Sequence, residues 1–373
     1  MTGIKTMQQL DDFVRGATLL GTGGGGSQKM GKDLLLDSFR EKKEINWISM
    51  NSMEDDAWVC TAFYMGSIAP LSDEDKKQME RLGLKKRSVQ RVLVAAVQEL
   101  EKELNIQISA LIPVEMGGLN SAAPLDAAAQ MNKAIIDADL AGRAVPEVAQ
   151  TLPRLNKLPI CPIACCDAWG NVSLIRQTHG YDMAEALGKM LSLPAYEPIG
   201  LACFAMRVKD ARHTVVEGTL SRCIKAGAAV REACEQGRDP AEAFAQVTHG
   251  KVVFRGVVEQ YTWESRGGYM YADNYIGGRH NYQGHRLHIW AKNENHISWL
   301  DDKPFITSPD LIQVVDAKTG EPITNTDLRE GMDVAVVGIG NPLYRTPEGI
   351  RILGPSHYGF DEIPYTPMEE LVK

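Results

Sequence analysis

The sequence predicts an α/β protein in two parts. An N-terminal domain over 1–168 is expected to carry a mostly parallel sheet with flanking helices. A C-terminal domain over 169–373 is expected to combine helices with an antiparallel sheet or barrel. Three observations carry this reading. Short apolar runs alternate with helical ones up to about residue 168. Two helical stretches follow between 213 and about 250. From Lys251 the chain turns to alternating strand patterns separated by turn residues, and it is β-rich beyond 250.

Taken in order, Leu10, Phe13, Val14 and Ala17 recur at helical spacing, and Leu34, Leu35, Leu36 and Phe39 continue a second helix that Ser27 caps. "INWISM" (45–50) and "AWVCTAFYM" (57–65) read as strands, and 87–103 as a helix with Val92, Val94, Ala95 and Leu100 on its apolar side. "IQISALIPV" (106–114) is a third strand, "PLDAAAQMN" (124–132) a short helix, "KAIIDAD" (133–139) a fourth strand and "LPICPIACCD" (158–167) a fifth. Strands alternating with helices imply parallel pairing through crossovers. Beyond Trp169-Gly170-Asn171 come a long helix from about Leu220, another opened by Asp239-Pro240, and then strands such as "KVVFRGVVEQYTW", "HRLHIW" and "DVAVVGIG".

Composition narrows the function. The 373 residues are 44% hydrophobic and 24% charged, which suits a soluble globular chain. A net charge of −8 without a long basic run argues against nucleic acid and anionic membrane as partners. The Lys85-Lys86-Arg87 cluster with Arg91 reads as a solvated helix face. The opening MTGIKTMQQLDDF lacks an apolar signal region, and no run approaches the ~18 apolar residues of a membrane span. Seven cysteines, an odd and scattered set, fit a reducing compartment. A cytoplasmic protein is therefore expected, and a homo-oligomer is left open.

Residues 21–26 contain five glycines in six positions. Gly21, Gly23 and Gly26 have the spacing of a dinucleotide fingerprint, but that fingerprint must follow a strand, and here helices lie on both sides. A P-loop fails too, because Ser27 stands where its lysine belongs. The loop reads instead as a cradle for a small ligand at the carboxyl edge of the sheet, where ligands bind in open parallel sheets. The turns after the predicted strands point the same way: Met65-Gly66-Ser67, then Glu115-Met116-Gly117-Gly118-Leu119-Asn120, then Asp137-Ala138-Asp139 leading to Gly142-Arg143. Glu115 lies between a buried-looking strand and a Gly-Gly turn, and that position favours a chemical role over a cap or a surface pair. Asp137 and Asp139 share a side if their strand persists. Arg143 either pairs with them or binds ligand, and Glu147 after Pro146 reads as a first-turn helix acid.

Cys165-Cys166 read as a packed pair. His280, His285 and His288 bunch together, but positions three apart on a strand face opposite sides. Metal binding is left open.

Several strings together, "GATLLGTGGGGS", "VEMGGLNSAAP", "DADLAGRAVPE", "EGTLSRCIKAG", "NENHI" and "PDLIQVVDAKTGEPI", resemble the S-methyl thiohydantoin desulfurase family, which is associated with hydantoinase and oxoprolinase proteins. The resemblance runs from about residue 7 to about 340 and implies the same two-part build. It also implies hydrolytic desulfurisation of a thiohydantoin ring, giving a hydantoin and a thiol or sulfide. The substrate would be a small cyclic imide or thioamide, and no redox or nucleotide cofactor is required. One departure is Ser265-Arg266-Gly267-Gly268, where a Phe-x-Arg-Gly-like string is expected. On this reading Glu115, Asp137 or Asp139 supplies a base, and Arg143 grips an acidic ring substituent. Backbone N–H groups of Gly23, Gly24, Gly25, Gly26, Gly117 and Gly118 steady the developing charge, and Asn120 bonds a ring amide. The alternative is a non-catalytic partner or a cyclic-imide-binding subunit of a hydantoinase or oxoprolinase system.

Overall fold

The computed structural model describes residues 2–66 and 71–372, so Ser67 of the Met65-Gly66-Ser67 turn lies outside the described residues. The chain runs β1 (Thr2–Ile4), α1 (Met7–Leu19), α2 (Gln28–Arg40), β2 (Ile45–Trp47), β3 (Trp58–Met65), α3 (Asp73–Arg81), α4 (Val92–Leu104), β4 (Ile108–Ile112) and α5 (Gly118–Met131). It continues through β5 (Ala134–Ile135), β6 (Ala138–Asp139), α6 (Leu152–Leu155), β7 (Ile163–Cys166), β8 (Val172–Ile175), α7 (Tyr181–Ser192), β9 (Ile199–Arg207), α8 (Val208–Ala211), β10 (Val216–Glu217), α9 (Thr219–Glu235) and α10 (Pro240–Thr248). The last part is β11 (Lys251–Arg266), β12 (Tyr269–Gly278), β13 (Arg286–Lys292), β14 (Glu294–Leu300), β15 (Lys303–Thr307), β16 (Leu311–Asp316), β17 (Asp333–Ile339), α11 (Pro347–Leu353) and α12 (Met368–Leu371).

The architecture is the expected one, an α/β part followed by an antiparallel β-rich part. The first sheet has the order β5-β4-β3-β9-β7-β8. Its parallel section is β5-β4-β3, joined by crossovers through α4 and α5, while β9, β7 and β8 pair antiparallel. Strands β8 and β9 both lie past Trp169 and still belong to this sheet.

The stretch 133–139 does not persist as one strand. Ala134–Ile135 pairs with β4, the chain then turns at Asp137, and Ala138–Asp139 pairs with β10 instead. The turn is fixed by the Asp137 carboxylate, which accepts from the Ser221 backbone N–H (3.0 Å) and hydroxyl (2.5 Å) at the start of α9.

The caps read from sequence form. Ser27 accepts from the Met30 N–H to open α2, and Asp239 accepts from Ala241 and Glu242 to open α10. The second sheet, β15-β14-β13-β12-β11-β17-β16, is antiparallel throughout. Bulges at Val258/Gln260 and Val252/Phe254 kink the 16-residue β11. Its outer half with β12 makes a hairpin whose tip lies against α7. One apolar core joins the halves. It runs from Leu100 and Leu111 through Phe13 and Leu20 of α1 and Cys223 and Val230 of α9 to Val315 and Val337 of the second sheet. No helix among the described residues is long and apolar enough to cross a membrane.

Candidate functional site

A cavity of about 370 Å³ opens between the two parts. The first part contributes Gly23–Gly26, the end of β3, and Glu115 with Asn120 from the turn into α5. Helix α7 adds Glu185 and Lys189. The second part adds the β11–β12 tip, Asn293-Glu294 at the start of β14, and residues 324–326. Of the residues singled out in the sequence, Gly23, Gly24, Gly25, Gly26, Glu115 and Asn120 line this cavity.

The glycine loop is shaped for close packing. Gly25 has φ +73°, and a Cβ there would lie 2.5 Å from the Gly117 Cα and 2.9 Å from the Met116 carbonyl oxygen. This approach lets the Gly25 carbonyl accept from the N–H groups of Leu119 and Asn120 in the first turn of α5, at 3.2 Å each. The dipole end of α5 thus faces the loop's own carbonyl. Other N–H groups expected to cradle a ligand are also engaged internally. That of Gly24 donates to the Gly21 carbonyl, that of Gly25 to Glu294 Oε1 (3.1 Å), and that of Gly117 to the Ser121 hydroxyl (2.9 Å).

What the loop presents to the cavity is a pair of carboxylates. Glu115 is buried; it accepts from Asn120 Nδ2 at 2.8 Å and from the Val145 N–H at 2.7 Å. Glu294 is buried on the other side of the loop, and its Oε2 has no hydrogen-bond partner among the described residues. Burial, reinforced by mutual repulsion, pushes Glu294 well above the ordinary carboxylate range. Burial likewise raises Glu115, against the bonds from Val145 and Asn120. Two acids that cannot both ionise readily are suited to hold and pass one proton near neutral pH.

The other residues singled out from sequence lie elsewhere. Asp137 holds the start of α9. Asp139 is fully buried, its Oδ2 accepting from Ala141 (3.1 Å) and Gly142 (2.7 Å) while Oδ1 has no partner; burial lifts it to about 7. Arg143 is 0% exposed, and its guanidinium donates to the carbonyls of Ala144 (2.9 Å), Pro309 (3.0 Å), Asp310 (3.0 Å) and Asn295 (3.3 Å). It is a strut between the halves, because a guanidinium fork matches several carbonyls at once. Gly117 and Gly118 make room for the loop and for α2 behind the cavity wall. Asn120 is occupied by Glu115 and by the Tyr64 N–H (3.4 Å).

Glu147 pairs across the halves with Lys292 and with His357. Burial would raise it, yet the His357 bond and the Lys292 ammonium hold it at about 2. His285 pairs with Asp301 (2.6 Å) and His288 with Asp273 (2.7 Å), so they do not converge. Among the described residues no group of three or more His, Cys, Asp or Glu is placed to hold a metal ion. Cys165 and Cys166 are buried, and burial raises their thiols to about 12 and about 11, which leaves them protonated and poorly nucleophilic.

Sequence reasoning missed Glu294, Glu185, Lys189 and Tyr269. Glu294 lay in "NENHI", a string noticed only for its family resemblance; its signal was an acid flanked by two asparagines before a strand.

The fold and cleft define a class, a two-domain α/β–β protein with an ionisable cavity between its halves. Two family profiles match consecutively: "S-Me-THD-like, N-terminal domain" over residues 8–177 and "S-Me-THD-like, C-terminal domain" over 179–368. The chain belongs to the S-Me-THD-like family. It is similar to a protein from Chromobacterium violaceum solved by X-ray crystallography, with 20% identity, a TM-score of 0.77 and coverage of 98% of this chain and 99% of that one. That likeness concerns the fold. No curated protein matches the chain.

Proposed function

We propose that this protein is a hydrolase that removes sulfur from a thiohydantoin-type ring bound in the inter-domain cavity. The observation that carries the reading is the pairing of Glu115 and Glu294, both buried and both raised, one from each family domain. Family membership supplies the substrate class.

For a ring carrying an alkylthio group at C2, one carboxylate of the pair takes a proton from water as the oxygen attacks C2. The C2–S bond then breaks with its electron pair going to sulfur, and C2 becomes a carbonyl. One water proton ends on the ring nitrogen that was doubly bonded to C2, the other on the departing thiol. Water enters, a thiol leaves, and nothing is oxidised or reduced. The partner acid keeps the pair at a single shared charge, which holds the base near neutral strength. The apolar walls, including Phe63, Val114 and Leu119, exclude bulk water and strengthen these interactions.

The test is thiol release from a 2-methylthio hydantoin-type ring by the purified protein, read with a chromogenic disulfide, with the hydantoin product followed in parallel. Equimolar thiol and hydantoin are expected. Glu115→Gln and Glu294→Gln should each slow release by roughly 10²–10⁴-fold. Absence of both products, or full turnover by both variants, would overturn the proposal. Tight ring binding without products would point instead to an imide-binding subunit.

A further inference from the structure

Helix α7 packs Ala184 and Leu191 inward, yet it also turns charge inward and leaves large apolar side chains outside. Met183, Leu187 and Met190 are 49%, 38% and 63% exposed, whereas Glu185 is 5% exposed and the Lys189 side chain 15%. Burying two ionisable groups while leaving three large apolar ones in water opposes the partition that drives folding. The inward pair sits on the cavity wall. Glu185 accepts from the Tyr269 hydroxyl (3.0 Å) and from the Val148 N–H (2.9 Å). Lys189 Nζ lies 4.0 Å from Glu185 and 4.4 Å from the centre of the Tyr269 ring. Tyr269 thus ties the β11–β12 tip to α7 and fixes where the ammonium stands.

The ammonium stands among carboxylates on the cavity wall. Among the described residues three acids line the cavity, Glu115, Glu185 and Glu294. Arg329, the other cation on its wall, is exposed and donates to the Thr326 and Leu328 carbonyls. A thiolate leaving beside the shared charge of Glu115 and Glu294 meets repulsion. Lys189 is the largely buried donor on the cavity wall that can neutralise it.

We infer that Lys189 is a catalytic residue that delivers the proton to the departing sulfur, with Glu185 and Tyr269 as its positioning residues. This rests on the desulfurisation reading above. As the C2–S bond breaks, its electron pair passes to sulfur and an Nζ proton follows, so a neutral thiol is released. The amine regains a proton from the hydroxyl of the tetrahedral adduct as that oxygen becomes the C2 carbonyl.

The experiment compares two rings, one with a methylthio group and one with a nitrophenylthio group, whose thiolate is too weak a base to need the proton. Lys189→Met should slow the methylthio ring by roughly 10²-fold or more and the nitrophenylthio ring far less. Lys189→Arg keeps the charge but holds its proton too tightly to give it up, so it should not restore the methylthio rate. Full restoration by Lys189→Arg would overturn proton delivery. Equal losses on both rings, with melting unchanged, would overturn the assignment and leave desulfurisation standing. If Lys189→Met does not fold, the wild type decides. A rate that barely changes between the two leaving groups supports the inference, and a steep dependence overturns it. A wild type that releases no thiol from either ring would remove the desulfurisation reading, and this inference with it.

Discussion

Replacing Glu294 by glutamine should make the protein more stable at neutral pH while disabling it. In the folded chain the Glu294 carboxyl holds its proton to higher pH than an exposed glutamate does, because burial and Glu115 both disfavour the charge. Between the unfolded value of about 4.3 and the raised folded value, the folded state carries a proton that the unfolded state has released. Stability therefore falls as pH rises through that window, by about 1.4 kcal/mol per pH unit for each such group.

Glutamine keeps an acceptor for the Gly25 N–H, held at 3.1 Å by Glu294 Oε1, and has no charge to disfavour. The variant should lose about one group's worth of slope between pH 5 and 7, which corresponds to about 2 °C of melting midpoint per pH unit for a domain of this size. With repulsion gone, the Glu115 carboxyl should also titrate lower, so any residual activity should survive to lower pH than wild type. Melting scans in steps across pH 5–7 are the assay. Parallel curves for variant and wild type, or a lower midpoint for Glu294→Gln at pH 7, would refute the claim that these two acids share one buried site. Stability gained where activity is lost is the signature of a functional strain.

Three further outcomes follow from the same geometry. Gly25→Ala should destabilise by about 2–5 kcal/mol, adding the left-handed penalty to a backbone overlap with Gly117 that no side-chain rotation relieves, and chemical denaturation would measure it. Arg143→Met strips donors from four buried carbonyls and should lower stability by at least about 3 kcal/mol; in the fraction that stays folded, KM for rings with and without an acidic arm should be unchanged, which a substrate-gripping arginine would not allow. Asp137→Ala should cost about 1 kcal/mol in melting, as a lost helix-start contact does, with thiol release intact.

Local chemistry was legible in the sequence and long-range pairing was not. Ser27 and Asp239 declare helix starts because a cap is decided within three residues. Glu115 and the glycine loop stood out because an acid beside a Gly-Gly turn is a local anomaly. Strand β9 gives no local sign that it inserts antiparallel beside β3, since its nine residues are nearly all buried on either choice of partner. Arg143 resembles a ligand cation because nearby acids are its only visible neighbours. Three of its four acceptors lie more than 150 residues away.

The segment 143–145 shows how one short stretch sets both acids. Its Arg143 guanidinium holds the carbonyl of Asn295, the residue next to Glu294, and its Val145 N–H holds Glu115. The glycine loop makes the matching connection from the other side, with the Asn295 N–H donating to the Thr22 carbonyl (2.8 Å) and the Gly25 N–H to Glu294. The separation of the two carboxylates is therefore fixed by backbone groups and a buried guanidinium rather than by flexible surface chains. Burial raises both acids, and the charge of Glu115 adds to the rise at Glu294. A fold that shares one apolar core across its two family domains keeps the pair together at their junction.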